Sequence, residues 1–293
     1  MEYAGFYTIL DPFKSDNTSG GPQTYKNIIK YVESFGINVK VVTPSDEFIN
    51  PNEFKFNIYQ DLFNDPVGSK WFTPEEYKVL GDSSKRFAVS ECGYTACTTS
   101  PYADTTFDGT FVQKISRPIF EKSHKIITAS PLHSRTISKL MGDLSGDFYA
   151  YLAEVDFENF KNTNQERTIT ALTVGAMNHW KGTDLCCEKY GADLVVAGYG
   201  DYHVLKNNSK FMGKVKHEDM PQLFNISKTY THLPRWKEPF SISTAEAFLC
   251  GCLVDVNENV GAMSFGKDLS NTEVYIESAN DFKQMIKENF IDY

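Results

Sequence analysis

The chain has no C-x-x-C pair, and none of its six cysteines (Cys92, Cys97, Cys186, Cys187, Cys250, Cys252) has a histidine at zinc-ligand spacing. A zinc-organised module is thereby excluded, and no metal is expected. Cys186, Cys187 and Cys250 fall in apolar helical stretches, where a buried free thiol is the default, so the compartment is read as reducing and cytoplasmic (the host's, for a viral chain). No apolar run approaches the roughly 20 residues that cross a bilayer. The opening "MEYAGFYTILDPFK" has an acid at position two and no basic n-region, unlike a signal peptide. An excess of positive charge is also lacking. Residues 1–165 carry 16 basic and 21 acidic side chains, residues 166–293 carry 13 and 17, and the net charge is −9. The chain therefore has no bulk attraction for nucleic acid or an anionic membrane. Solenoid repeats and low-complexity tracts are absent.

What is present is core material in alternating patterns. The 293 residues include 22 Phe and 16 Tyr, enough for one large domain or two of ordinary size. "YAGFYTIL" (3–10), "INVKVVT" (37–43), "RFAVS" (86–90) and "KIITAS" (125–130) read as buried strands, with helical spacing at 22–35, 111–123 and 131–141. The alternation restarts with "TITALTVG" (168–175), "DLVVAG" (193–198), "KTYTHL" (228–233) and "CLVDV" (252–256). Helices are expected at 182–190, 218–226, 243–250 and 279–289. Such alternation predicts an α/β fold with parallel sheets flanked by helices. The polar, turn-rich stretch "FENFKNTNQER" (157–167) reads as a linker. It divides the chain into an N-terminal domain, 1–163, and a C-terminal domain, 164–275, followed by a helical tail, 276–293, expected to pack back on the first domain. Residues 44–85, punctuated by Pro44, Pro51, Pro66 and Pro74, give no assignable elements. The expected architecture is two doubly wound domains with a cleft between them, and ligands bind such sheets beyond the carboxyl ends of the strands.

Four strand-to-helix turns fit that location. "SDNTSGGPQTYKNII" (15–29) places Gly20 and Gly21 before a helix, where the backbone can approach an anion or simply form a loop. In "LTVGAMNHWKGTDLCCEKY" (172–190), Lys181 and Gly182 open a helix. A lysine in a first turn opposes the helix dipole, which suggests an anionic partner beside the plain surface reading. "DLVVAGYGD" (193–201) ends in a Gly-Tyr-Gly bend. Finally, "KEPFSISTAEAFLCGC" (237–252) spaces Glu238 and Glu246 by seven residues. Ser243 and Glu246 have the spacing of a capping box, and Glu238 beside Lys237 reads equally as a solvated loop acid.

Taken together over residues 168–262, these turns resemble the large family of retaining GT-B glycosyltransferases that use nucleotide sugars. The resemblance rests on "KG" (181–182), "VVAGYG" (195–200), "GKVKHEDMPQLFNIS" (213–227) and "PRWKEPFSISTAEAFLCGCLV" (234–254), with looser matches at "GGPQTY" (20–25), "KSHKIITAS" (122–130) and "EVDFENF" (154–160). It implies a GT-B fold of two Rossmann-like domains facing across a cleft. The implied reaction is transfer of a sugar from a UDP- or GDP-sugar to an acceptor hydroxyl with retention, and no metal is required.

The resemblance also implies roles. Glu246 would accept from the ribose hydroxyls, Glu238 would bond the transferred sugar, and Lys181 would hold the diphosphate. The backbone of Phe240, Ser241, Ile242 and Ser243 would meet the phosphates, Gly20 and Gly21 would close over them, and Lys214 and Val215 would face the base. The family's usual arginine is replaced by Ala176, leaving His179, Arg235 or Lys237 to supply charge, and its usual glycine by Ser241. No N-terminal histidine matches; Glu91 and Tyr94 stand near that place. The alternatives are a viral-type DNA glycosyltransferase acting on hydroxymethylated bases, a GT-B epimerase, or an inactive sugar-nucleotide binding protein. The acceptor is left open among glycan, lipid-linked sugar, protein, small molecule and modified base.

Overall fold

A computed structural model describes residues 2–9, 11–13, 20–63, 71–97, 111–152 and 155–293. The chain forms two compact units. Unit 1 comprises residues 1–151 and 278–293, and unit 2 comprises residues 152–277.

Unit 1 is built on six parallel strands: β1 (Tyr3–Thr8), β2 (Asn38–Val42), β3 (Asn57–Gln60), β4 (Phe87–Glu91), β5 (Lys125–Thr128) and β6 (Phe148–Ala150), in the order β2-β1-β3-β4-β5-β6. Its helices are α1 (Gly20–Glu33), α2 (Pro74–Gly81), α3 (Phe111–Lys122) and α4 (Pro131–Leu140). β1, β3, β4 and β5 sit in the interior of the sheet and are covered on both faces, so they read as continuous apolar runs rather than alternating ones. The order reverses between β1 and β3. Residues 44–85, unassignable from sequence, supply β3 and α2. α2 opens on a capping box, with Thr73 Oγ1 accepting from Glu76 N (3.2 Å) and Glu76 Oε2 accepting from Thr73 N (2.6 Å). The chain returns to this unit at residue 278, where Phe282 packs on Tyr151 (ring centroids 4.4 Å apart) and Phe290 on Phe56 (5.6 Å).

Unit 2 has five parallel strands: β7 (Ile169–Met177), β8 (Leu194–Gly200), β9 (Lys210–Gly213), β10 (Ser227–His232) and β11 (Leu253–Val256), in the order β11-β10-β7-β8-β9. Helices α5 (Thr183–Tyr190), α6 (Met220–Asn225) and α7 (Ile242–Leu249) connect them, and α8 (Glu273–Ile286) follows. Counted from β7, this is the Rossmann order 3-2-1-4-5 read from the other edge, with its reversal between β7 and β10. The polar stretch 157–167 has neither helix nor strand, yet it does not hang free. Phe160 is buried against Phe224, Thr163 N donates to Asn225 Oδ1 (2.7 Å), and the Arg167 guanidinium donates to Cys250 O (2.8 Å) and to Ser227 O. All six cysteines are free thiols. Among the described residues no helix is long and apolar enough to cross a membrane.

Candidate functional site

The loops leaving β7 and β10 flank the point where the strand order of unit 2 reverses, the position at which a doubly wound sheet opens a crevice. After β7, Asn178 Oδ1 accepts from Lys181 N (2.8 Å) and His179 O from Gly182 N (3.1 Å), closing a tight turn. Gly182 has φ 69°, and a Cβ built there would lie 1.8 Å from Leu233 O. Only glycine lets the two loops touch. Arg235 then ties them together, with its backbone N donating to Trp180 O (2.8 Å) and its guanidinium to His179 O (2.7 Å). The same guanidinium forks onto Asp184 at 2.6 and 2.9 Å. Burial acts to raise the Asp184 carboxyl, but the Arg235 bond and charge outweigh it and hold it below the ordinary range.

Glu238 follows on the second loop. Its N–H donates to Asn259 O (2.8 Å) and its carbonyl accepts from Gly261 N (3.0 Å), a one-residue parallel bridge that fixes the backbone. Oε1 accepts from Lys181 Nζ at 2.5 Å. Oε2 meets His232 Nε2 at 3.0 Å and Trp236 Nε1 at 3.2 Å. Burial would push this carboxyl up. The Lys181 charge and the His232 and Lys181 bonds prevail and set it at about 2. Lys181 Nζ also lies 5.0 Å from the centre of the Trp236 ring, within cation–π range.

Phe240, buried against Phe265, leads into Ser241 at φ 80°, ψ 82°, and α7 starts at Ile242. Neither α5 nor α7 has a side-chain cap on its N-cap residue; at α7 Thr244 N donates to Ser241 O (3.1 Å), and the first-turn amides before it lie at the carboxyl edge of the sheet. The capping box expected at Ser243 and Glu246 does not form. The helix starts two residues earlier than that spacing requires, so Ser243 lies inside it and bonds Tyr230 OH (2.8 Å). Glu246 turns instead to His217, with Oε1 2.8 Å from Nε2. Its bond to Glu246 raises the His217 pKa against the opposing effect of burial. Glu246 has 6% of its side chain exposed and His217 54%, so the pair reaches water through the histidine.

Of the residues singled out in the sequence, Lys181 and Glu238 are brought into direct contact, and Phe240, Ser241, Ile242, Ser243 and Glu246 follow within one loop and helix. Lys181 lies before the Gly182 N-cap rather than in the first turn, which holds Asp184. The dipole mismatch inferred from sequence is therefore not present. Arg235 is neutralised by Asp184, Lys237 Nζ donates to Asn259 Oδ1 (2.6 Å), and exposed His179 edges onto Trp180. Ala176 lies within β7, in register with Tyr199 of β8. Val215 is half-buried just after β9, beside Lys214, whose Nζ is 5.5 Å from the Tyr199 ring. Gly20 and Gly21 open α1 in unit 1; residues 14–19 before them lie outside the described residues. His232, Trp236 and His217 were missed in the sequence. The available signal for His232 was its place as the last residue of a strand on the ligand-binding edge.

The sequence model of the family "Glycosyl transferases group 1" matches residues 154–288. Over that segment the chain is similar to the glycosyl transferases group 1. The segment contains β7 to β11, both loops of the crevice and the Glu238–Glu246 pair. Among solved structures, sucrose-phosphate synthase from Thermosynechococcus elongatus is similar at TM-score 0.64 and 12% identity, over 99% of this chain and 95% of that one. HepE of Anabaena, solved with UDP and glucose, is similar at 0.56 and 12%, over 99% and 96%. BGT of phage T4, solved with its UDP-glucose substrate, is similar at 0.58 and 10%, over 99% and 100%. At such identities these likenesses show the fold, which is GT-B. No curated protein matches the chain.

Proposed function

We propose that this chain is a glycosyl transferase of group 1 that moves a sugar from a UDP- or GDP-sugar to an acceptor hydroxyl, with retention at the anomeric carbon. The observation that carries the reading is Lys181 Nζ, held 2.5 Å from Glu238 Oε1 beside the β7/β10 switch point, with the uncapped start of α7 three residues beyond Pro239. Such a group suits a diphosphate leaving group. An ammonium has three donors and Glu238 takes one, so phosphate oxygens can share the rest. The first-turn amides after Ser241 favour negative charge at the same edge. Both are set before the reaction begins, and fixed donors of this kind stabilise charge developing on the departing diphosphate.

Glu238 has a second role in this reading. Its carboxylate, ionised to low pH and bonded on both oxygens, positions Lys181 and presents an acceptor edge to sugar hydroxyls. Glu246 receives the ribose in place of His217. Among the described residues no group of three or more His, Cys, Asp or Glu is arranged around a metal. The chemistry proposed for Lys181 and the helix amides does not call for one. A further similar solved structure is that of a DNA-modifying β-glucosyltransferase. Here the net charge of −9 gives no complement to a phosphate backbone, so a small or glycan acceptor is favoured.

The direct test is turnover of UDP-glucose and GDP-mannose, measured as nucleotide release with and without neutral sugars. Lys181→Met is expected to lower the rate at least a hundredfold, in line with loss of one preorganised donor. It is also expected to lose about 1–3 kcal/mol of stability, because Glu238 keeps its bonds to His232 and Trp236. Wild-type turnover in a folded Lys181→Met protein would contradict the role.

A further inference from the structure

Residues 202–216 contain Lys206, Lys210, Lys214 and Lys216 and no acid, in a chain whose net charge is −9. The stretch surrounds β9, an edge strand of unit 2. Lys206 is paired with Glu188 (3.0 Å) and Lys216 with Glu218 (3.2 Å). Lys210 and Lys214, at the two ends of β9, form no ion pair among the described residues, and Lys214 lies over the Tyr199 ring. Between them Phe211 and Met212 are 39% and 54% exposed. The Phe211 ring meets that of exposed Tyr202 edge-on, with centroids 5.2 Å apart. The donor chemistry uses none of these apolar side chains.

β9 pairs with β8 on one side only, and among the described residues no hydrogen bond reaches its outer side. Such an edge is a template for another strand, because its row of N–H and C=O groups matches that of an extended chain. The register breaks at Met212, where Val196 faces Phe211 and Ala197 faces Gly213. A bulge of this kind bends the edge, so it takes a short segment rather than a second sheet. Another copy of this chain is a poor occupant. Antiparallel pairing of two β9 strands about Met212 would set Lys210 of one copy opposite Lys214 of the other, and like charges directly opposite destabilise a sheet. The same two ammonium groups attract carboxylates, so the complementary segment is acidic. Side chains alternate along a strand, which lets apolar residues between its acids pack on Phe211 and Tyr202. A nucleic acid would answer the charges but gain nothing from the backbone edge.

We infer that the outer edge of β9 is a docking edge for a short, extended, acidic segment of another protein. The segment's backbone adds a strand to β9, its carboxylates meet Lys210 and Lys214, and its apolar side chains cover Phe211, Met212 and Tyr202. Main-chain bonds supply affinity in this mode of recognition, and the flanking side chains supply specificity.

Fluorescence anisotropy on the full chain tests this with labelled peptides in which Glu alternates with Val, Leu or Phe. The controls are the same peptides with Lys in place of Glu, a thymidine oligonucleotide, and phosphatidylserine vesicles. At least one acidic peptide should bind saturably, and its form with N-methylated backbone amides should bind at least tenfold more weakly. Lys210→Glu and Phe211→Ser should each weaken binding at least tenfold with an unchanged melting temperature. Lys210→Glu alters an exposed side chain, so it keeps the test decisive if Phe211→Ser fails to fold. The inference is overturned if no acidic peptide binds, if the Lys or N-methylated peptides bind equally well, or if folded Lys210→Glu binds as the wild type does. Binding of the oligonucleotide or the vesicles in preference to every peptide would also overturn it. None of these outcomes depends on the donor reading, since no nucleotide enters the measurement.

Discussion

Ser241 stands at φ 80°, ψ 82°, immediately before α7. The other described non-glycine residues at positive φ are Asp or Asn, whose short polar side chains tolerate that region. Ser241 has no such tolerance and is held by its hydroxyl, which bonds Thr244 Oγ1 at 2.8 Å. Residues held in this way carry strain of order 1–3 kcal/mol, and such residues gather at ligand sites. Replacing Ser241 with Gly is therefore expected to leave Tm unchanged or raise it, by up to about 1 kcal/mol of stability once the hydroxyl bond and chain entropy are set against the strain. Ser241→Val should lose about 2 kcal/mol or more, since a β-branched side chain is a true outlier there. Equal melting of the two variants would show that the backbone does not hold this conformation.

His217 carries the pH dependence. Its folded pKa is raised by Glu246, so the stability it contributes is fully present below its unfolded pKa of about 6.5 and is lost as pH rises through the folded value. A ribose that takes His217's place on Glu246 must break a charged pair at low pH and a weaker one at high pH. Affinity for UDP should accordingly increase as pH rises through the folded pKa of His217, and His217→Gln should flatten that rise. The same slope in both proteins, read by calorimetry across pH 5.5–8.5, would assign the effect to another group.

At the scale of elements, what placed the site was the contact between the turn after β7 and the turn after β10. Gly182 permits that contact, with a Cβ position 1.8 Å from Leu233 O. Gly182→Ala must push the loops apart and carry Lys181 away from Glu238. A loss of about 3 kcal/mol is expected in urea unfolding, with nucleotide release reduced alongside it. A loss below about 1 kcal/mol would mean that the loops are not packed as described. The strands were legible in the sequence because interior parallel strands are apolar on both faces, as in "TITALTVG" and "DLVVAG". β9 was not legible. It is an edge strand of four residues, with Phe211 and Met212 exposed, and carries no buried pattern. β3 and α2 were hidden by the prolines around them, although Pro74 marks the first turn of a helix. The start of α7 was misjudged because Ser243 and Glu246 have capping-box spacing, and only the tertiary partners Tyr230 and His217 decide against it. Lys181, Glu238 and Glu246 were picked out through the resemblance of their turns, in order and spacing, to the glycosyltransferase family; each turn alone was ambiguous. That Lys181 and Glu238 bond each other depends on the strand order, which sequence spacing does not encode.

On the scale of the whole molecule, two doubly wound units each reverse their strand order once, and each reversal brings carboxylates to the carboxyl edge of its sheet. In unit 2 the carboxylate is matched by a lysine and followed by bare helix amides, an environment for an anion. In unit 1 the Asp61 carboxyl accepts from the Cys92 amide and from Tyr25 OH. The lysine and helix amides of unit 2 are the reason the proposed nucleotide diphosphate site is placed there. The most direct measurement is calorimetric titration of the full chain with UDP and GDP, repeated on Glu246→Ala and Lys181→Met. The account predicts saturable binding of at least one nucleotide and a loss of tenfold or more in each variant. It is contradicted if neither nucleotide binds, or if both folded variants bind as the wild type does.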